Sequence, residues 1–294
     1  MSNWLRCLAL VLSAGAAVPV VAAPRCPAGD AYELAVSAER ALARADWPLA
    51  ARQYGCAMQR SDDVALTERA TRTAYDNQQL ASAVAAARRW LELVPDSEVA
   101  RRYLGTGLLR LYDEDAAAQQ FADLLDASYP DRARGYLALL GILVEERNET
   151  GAARVTDRLA AADAGLPEAQ YAASVLWQHA EDGNRALAAA RRAMELRPDW
   201  RMAELAEVRA LVMIGHRDEA LEKSAKLAAG EDIFSRVSHA WLLLGADRRA
   251  EATAIFEDLQ RSGVATSDAQ EGLAAIALNE RRFDDSTRIF TELA

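Results

Sequence analysis

Few residues of this chain have the types and spacing that a catalytic or metal site needs. The three histidines, His179, His216 and His239, lie far apart and have no cysteine or carboxylate at the spacing of a zinc site. No lysine follows Gly105-Thr106-Gly107 to complete a phosphate-binding loop, and Asp113-Glu114-Asp115 lacks the glycine and the spacing of a calcium loop. We therefore predict no catalytic residues, no metal site, no cofactor and no enzyme activity.

The first 23 residues have the composition of a secretory signal peptide. Arg6 is followed by an apolar run from Leu8 to Val21 and then by the small residues Ala22 and Ala23. The alternative is an uncleaved membrane anchor, although the run is shorter than the roughly 20 residues that a spanning helix needs. Both interpretations predict that the chain is exported.

Two cysteines, Cys26 and Cys56, remain when the leader and its Cys7 are removed. Because exported chains usually meet an oxidising compartment, we predict a disulfide between them. It would tie an N-terminal segment, residues 24–30, to the first helical hairpin, and closing this loop would stabilise the fold by roughly 3–4 kcal/mol. The alternative is two unpaired thiols.

Composition predicts an all-α protein that does not bind nucleic acid. Hydrophobic residues make up 51% of the chain but aromatic residues only 6%, because most apolar residues are alanine and leucine, which favour helices. The formal net charge is −10, and it becomes −11 when a leader with one arginine and no acidic residue is removed. Such a charge repels a phosphate backbone.

One helical hairpin can be read directly between Glu168 and Pro198. An apolar-patterned helix leads to an acidic turn at residues 181–184, and Pro198 ends the second helix. A unit of about this length recurs along residues 31–294 at intervals of 32 to 35 residues. The hairpins start near Ala31, Val64, Glu98, Ala133, Pro167, Arg201, Ile233 and Ser267. The sequence therefore predicts an α-solenoid of about eight hairpins.

The repeat resembles the tetratricopeptide repeat (TPR). The resemblance rests on Leu104-Gly105 in a first helix, on Gly215 in a turn with Ala220 after it, and on Pro95 and Pro198 at the ends of units. It implies a right-handed solenoid whose first helices line a concave groove. The Sel1-like variant, with longer and glycine-richer units, is the alternative, but the chain has only 15 glycines.

Three places depart from a regular repeat. The fourth hairpin has a long charged turn at residues 145–150, which favours a bend there. The seventh allows two registers, and we prefer the one that buries Ala252, Phe256 and Leu259 over the one that places Gly245 in the turn. No polar capping helix follows the eighth hairpin, so either the chain is a fragment of a longer solenoid or a partner covers its end.

The resemblance also implies the residues that would line the partner-binding groove. They are Glu68, Arg69 and Arg72 in the second hairpin, Arg102, Tyr103 and Arg110 in the third, Tyr171 and Gln178 in the fifth, and Met202 and Arg209 in the sixth. Arginine and tyrosine together favour an acidic peptide or helix as the guest. The alternative is that these arginines pair with nearby acidic residues of the chain itself.

With its leader, the chain resembles the exported TPR proteins of Gram-negative bacteria. That resemblance implies a non-catalytic scaffold in the periplasm or on the periplasmic face of the outer membrane, acting in envelope assembly, secretion or polysaccharide export. The partner would be a protein or peptide, and no membrane span would remain after signal cleavage. The alternative is a structural component that self-associates, or docks into an assembly, through its uncapped C-terminal end.

Overall fold

A computed structural model describes residues 26–129, 131–230 and 232–293. The predicted signal peptide, residues 1–23, lies outside these residues, and so do Pro24, Arg25 and Ala294.

The described residues form sixteen α-helices and no strand. The helices are α1 (Ala31–Leu42), α2 (Trp47–Met58), α3 (Val64–Asp76), α4 (Leu80–Leu93), α5 (Glu98–Arg110), α6 (Glu114–Ser128), α7 (Arg132–Leu143), α8 (Glu149–Ala162), α9 (Pro167–His179), α10 (Gly183–Leu196), α11 (Arg201–Met213), α12 (Arg217–Ala228), α13 (Ile233–Gly245), α14 (Arg249–Arg261), α15 (Thr266–Asn279) and α16 (Phe283–Leu293). Each element packs mainly against its neighbours in the chain, as in a solenoid. The predicted all-α solenoid of helical hairpins is confirmed.

Seven of the eight hairpin turns are closed by the same backbone device. In the third hairpin, Tyr112 adopts a left-handed conformation with φ 62°, and its N–H donates to the carbonyl of Leu109. The N–H of Asp113 then donates to the carbonyl of Leu108, which completes a Schellman motif. The left-handed residues of the seven turns are Ala45, Gln78, Tyr112, Glu181, Gly215, Asp247 and Arg281. Glycine therefore occupies this position in only one of these seven turns.

The residue after the left-handed position also starts the next helix. The carboxylate of Asp113 accepts a hydrogen bond from the N–H of Ala116 at 3.2 Å, and Asp46 and Asp182 cap α2 and α10 in the same way. One aspartate thus closes the first helix through its backbone and caps the second through its side chain. This double use explains how turns of only three or four residues can reverse the chain.

Small residues set the spacing between the helices. The core is rich in fully buried alanines such as Ala38, Ala50 and Ala173, which let neighbouring helices approach closely. Gly105 faces the ring of Phe121, where an added Cβ would lie 2.7 Å from a ring carbon. One continuous hydrophobic cluster runs from α4 to α12, a second joins α13 to α15, and smaller clusters join the N-terminal helices.

The fourth hairpin is open. α7 packs against α6 and α9, and α8 packs against the same two helices. The two helices of this hairpin therefore pack mainly against the neighbouring hairpins rather than against each other. The fully buried ring of Tyr136 bridges them, and its hydroxyl donates to the carboxylate of Asp163 at 2.6 Å and lies 2.9 Å from the carbonyl oxygen of Leu159. Their turn, residues 144–148, has no left-handed residue and is longer than the turns of three residues found in most hairpins.

Two further details concern the ends of the solenoid. Ala252, Phe256 and Leu259 are fully buried, which is the register preferred for the seventh hairpin. At the N-terminal end, Cys26 and Cys56 are paired, with their Cα atoms 5.5 Å apart. Arg60 holds the same segment on the end of α2 by donating to the carbonyls of Pro27 and Gly29.

Candidate partner-binding surface

The predicted groove residues lie on the first helices of the hairpins, which together form what we call the first-helix face. At its N-terminal end, Arg69 donates two hydrogen bonds to Glu39 of the preceding hairpin, at 3.0 and 3.2 Å. The buried Tyr54 also donates to Glu39. The hydrogen bonds from Arg69 and Tyr54 lower the pKa of Glu39, and burial raises the pKa of Tyr54 to about 12.

These three residues form one wall of an open cavity of about 560 Å³ between α1, α2 and α3. The rest of its lining is largely apolar, with Tyr32, Val36 and Leu66 among the contributors. Next to it on α3, Arg72 and Glu68 form an ion pair one helical turn apart, at 2.7 Å. Both predicted arginines of the second hairpin are therefore engaged by carboxylates of the chain itself.

The third hairpin contributes a second, more buried cluster. Arg110 donates to Glu146 at 2.7 and 3.1 Å and lies over the ring of Tyr75 at 4.4 Å. Tyr75 donates its hydroxyl to the same carboxylate at 3.2 Å, and its ring packs edge-on against Tyr103 at 5.0 Å. The side chain of Glu146 is only 5% exposed. Burial raises the pKa of Tyr75 to about 12. Arg110 therefore acts as the counterion of a buried acid.

Glu146 comes from the open turn of the fourth hairpin. Asn148 of the same turn donates its side-chain amide to the carbonyl of Leu109 at 2.8 Å, while its oxygen accepts from the N–H of Gly151 at the start of α8. The turn thus reaches across the ends of α3 and α5 and joins the second, third and fourth hairpins. We call these contacts the Glu146 latch.

A third group lies on α9, α11 and the residues between α10 and α11. Tyr171 packs against the ring of Trp200 at 5.1 Å, and Arg197 covers the same ring at 4.6 Å while pairing with the buried Glu168. Gln178 donates to the carbonyl of Ala206 at 3.1 Å, so its amide links α9 to α11. The side-chain amide of Gln178 is therefore engaged in a contact between helices rather than exposed for a partner.

Arg209 differs from the arginines described so far. Its guanidinium lies 5.7 Å from the ring centre of Phe234, the second residue of α13, and it forms no ion pair among the described residues. Burial raises the pKa of Tyr171, and the nearby Arg209 opposes that shift. Met202 is 46% exposed and Phe234 is 55% exposed. We call Tyr171, Trp200, Met202, Arg209 and Phe234 the Arg209 surface.

The predicted groove residues thus form three separate groups rather than one continuous site. Arg102 belongs to none of them: it is exposed, lies near Tyr129 and has no ion pair within the described ranges. Sequence reasoning missed the partners of these groups, which are Glu39, Tyr54, Tyr75, Glu146, Trp200 and Phe234. A search one repeat away from each arginine would have found Glu39, Glu146 and, near Arg197, Glu168.

The described part of the chain contains no group of three or more side chains placed to hold a metal ion. Of the histidines, His239 lies with Nδ1 2.8 Å from the hydroxyl of Ser224, and burial together with the positive charge of Arg248 lowers its pKa. No described helix is long and apolar enough to cross a membrane.

Comparison with known proteins adds solved structures of low sequence identity. No protein-family profile matches the sequence, and no curated protein matches it. A tetratricopeptide repeat protein from Parabacteroides merdae ATCC 43184 is similar over 84% of this chain and 98% of its own, with 13% identity and a TM-score of 0.43. Pseudomonas aeruginosa PilF is similar over 72% and 97%, with 15% identity and a TM-score of 0.39.

A third structure, YrrB, is described as a TPR protein with an unusual peptide-binding site; it is similar over 60% of this chain and 92% of its own, with 18% identity and a TM-score of 0.32. The sixteen described helices of this chain follow one another as helical hairpins, which is the architecture that the sequence predicted.

Proposed function

We propose that this protein is an exported, non-catalytic adaptor that binds a segment of a partner protein on its first-helix face. The observation that carries the proposal is the Arg209 surface, where large apolar side chains and an arginine without an ion pair in the described residues are exposed side by side. Exposed aromatic, methionine and arginine side chains are the residue types enriched at protein interfaces.

Site-specific photocrosslinking tests this proposal directly. A photoreactive amino acid at Met202 would sit on the Arg209 surface, and the same amino acid at the exposed Ala188 of α10 provides a matched control on a second helix. In envelope extract of the source bacterium, we expect one or a few defined crosslinked proteins from position 202 and none of these from position 188. Equal crosslinking at both positions, or none at position 202, would contradict the proposal.

We place the adaptor in the periplasm or on the periplasmic face of the outer membrane, in envelope assembly, secretion or polysaccharide export. The leader-like composition of residues 1–23 supports export, and the close approach of Cys26 and Cys56 supports a disulfide in an oxidising compartment. Expression of the full chain in a Gram-negative host should give a periplasmic protein without residues 1–23. Two free thiols on the denatured, unreduced mature protein would exclude the disulfide.

A second candidate function is self-association through the last hairpin. On α16, Phe283 and Phe290 are 58% and 47% exposed, and their spacing of seven residues places them on one side of the helix. Two exposed phenylalanines on one helix face favour burial against another surface. Light scattering should then show concentration-dependent association that Phe290→Asp abolishes. A monomer at all concentrations would exclude this candidate and leave the adaptor proposal unaffected.

A further inference from the structure

The arginines of the first-helix face differ in whether a carboxylate of the chain already holds them. Arg69 is held by Glu39, Arg72 by Glu68 and Arg110 by Glu146. An acidic partner could reach any of these only by displacing an existing carboxylate. For Arg110 this would leave a nearly buried acid without its counterion, which is strongly unfavourable.

Of the predicted groove arginines, Arg102 and Arg209 could bind an acidic group without that cost, and Arg209 also lies 5.7 Å from the ring centre of the exposed Phe234. Its neighbours are the ring of Phe234 and the phenol of Tyr171, and no acid among the described residues pairs with it. A guanidinium beside an aromatic ring is partly shielded from water, so a carboxylate that reaches it forms a stronger hydrogen-bonded pair than in open solvent. The site has an unsatisfied preference for negative charge.

Exposed apolar side chains surround this arginine. Met202, Arg209 and Met213 follow one another at spacings of seven and four residues, so they share one side of α11. Met202 is 46% exposed and Met213 is 41% exposed. Phe234 of α13 lies on one flank of Arg209, and Tyr171 of α9 lies near it on the other. Three successive first helices thus contribute apolar surface around a single cation.

We propose that the Arg209 surface recognises a protein segment in which an aspartate or glutamate lies within about four residues of an aromatic or large aliphatic residue. The carboxylate would bind the guanidinium of Arg209, and the apolar side chain would bury the exposed faces of Phe234 and Met202. This rests on the proposed function and specifies its partner chemistry. Charge complementarity carries it, because Arg209 is exposed and forms no ion pair among the described residues.

A random library of displayed twelve-residue peptides is the probe that tests this inference, with purified mature protein as the bait. The test variant is Arg209→Glu, and the control is Arg102→Glu. Arg102 lies on α5, is also exposed and has no ion pair in the described ranges. We expect the native chain and Arg102→Glu to enrich peptides that combine an acidic and a large apolar residue. Arg209→Glu should bind those peptides at least tenfold more weakly, as should the native chain when the acid is changed to its amide.

Phe234→Ser supplies an independent readout, because it removes apolar surface without changing charge. It should weaken the same peptides at least fivefold, and circular dichroism should show unchanged helix content for all three variants. Enriched peptides without an acid, or peptides as sensitive to Arg102→Glu as to Arg209→Glu, would overturn the inference while leaving the adaptor function standing. Failure to enrich any peptide, together with no crosslink from position 202, would overturn both.

Discussion

The Glu146 latch gives the sharpest test of how the fold is held together. Glu146→Ala removes the carboxylate that pairs with Arg110 and accepts from Tyr75, and leaves a guanidinium that is itself only 17% exposed. Breaking a buried ion pair from one side costs about 3–5 kcal/mol. Because Arg110 keeps some access to water, we expect the lower end, about 3 kcal/mol.

Two further variants separate charge from packing. Glu146→Gln keeps an acceptor for Tyr75 but loses the charge, and should cost about 1–2 kcal/mol. The double replacement Arg110→Met with Glu146→Leu should be close to wild type, because replacing a buried ion pair by apolar side chains of similar size is often neutral or stabilising. The exposed neighbour Glu145 provides the control, and Glu145→Ala should change stability by less than about 0.5 kcal/mol.

Urea denaturation followed by circular dichroism measures all four variants. The expected order of stability is wild type, with Glu145→Ala and the double variant close to it, then Glu146→Gln, then Glu146→Ala. If Glu146→Ala is no less stable than Glu145→Ala, the turn of the fourth hairpin does not join the second and third hairpins in solution, and the reasoning fails.

Three other changes test single features of the fold. Gly105→Ala pushes a methyl group into the ring of Phe121 and should destabilise the protein by about 1–3 kcal/mol in urea denaturation. Tyr112→Gly relieves a left-handed residue and should stabilise it by up to about 1 kcal/mol in the same assay. Asp163 is partly buried, which raises its pKa, but hydrogen bonds from Arg132 and Tyr136 outweigh burial and lower it. Its contribution to stability should therefore be complete above the ordinary carboxyl pKa of about 4 and lost as the pH falls below that value.

The two glycine changes have matched controls in the chain, and Asp163→Asn tests the pH dependence. Gly141 is exposed on α7, and an added Cβ would meet no atom within 4 Å, so Gly141→Ala should stabilise the protein where Gly105→Ala destabilises it. Leu111 precedes Tyr112 but has φ −86°, so Leu111→Gly should not stabilise. The stability difference between wild type and Asp163→Asn should shrink with falling pH. A difference that stays constant from pH 7 to pH 3 would contradict the assigned hydrogen bonds.

The sequence was sufficient for the repeat architecture because each unit carries its own local signals. Alanines at helical spacing, capping aspartates such as Asp46 and terminal prolines such as Pro198 recur at a nearly constant interval. Turn glycines were a poorer guide, because residues such as Tyr112 and Glu181 adopt the left-handed conformation that glycine would favour. The prediction of the fold therefore depended on a repeated pattern rather than on any one residue type.

The surface chemistry was not readable by the same local rules. A local rule looks for the acidic partner of an arginine four residues away on the same helix. Arg69 instead pairs with Glu39, which is 30 residues away. Arg132 pairs with Asp163, 31 residues away, and Arg110 with Glu146, 36 residues away. A solenoid stacks equivalent positions of successive repeats, so charges about one repeat apart become neighbours. The role of Glu146 was still harder to predict, because the open turn that carries it has no equivalent in the other hairpins.

The division of the hydrophobic core has a consequence for how a bound partner would affect the whole molecule. Arg209 lies on α11, which contributes to the hydrophobic cluster that runs from α4 to α12. Phe234 lies on α13, which contributes to the cluster that joins α13 to α15. The two clusters meet through partly buried side chains, Leu221 and Leu242. A segment bound across Arg209 and Phe234 would contact helices of both clusters and so hold the two clusters together. Its binding would slow amide hydrogen exchange throughout α13 to α16, well beyond the residues that it touches.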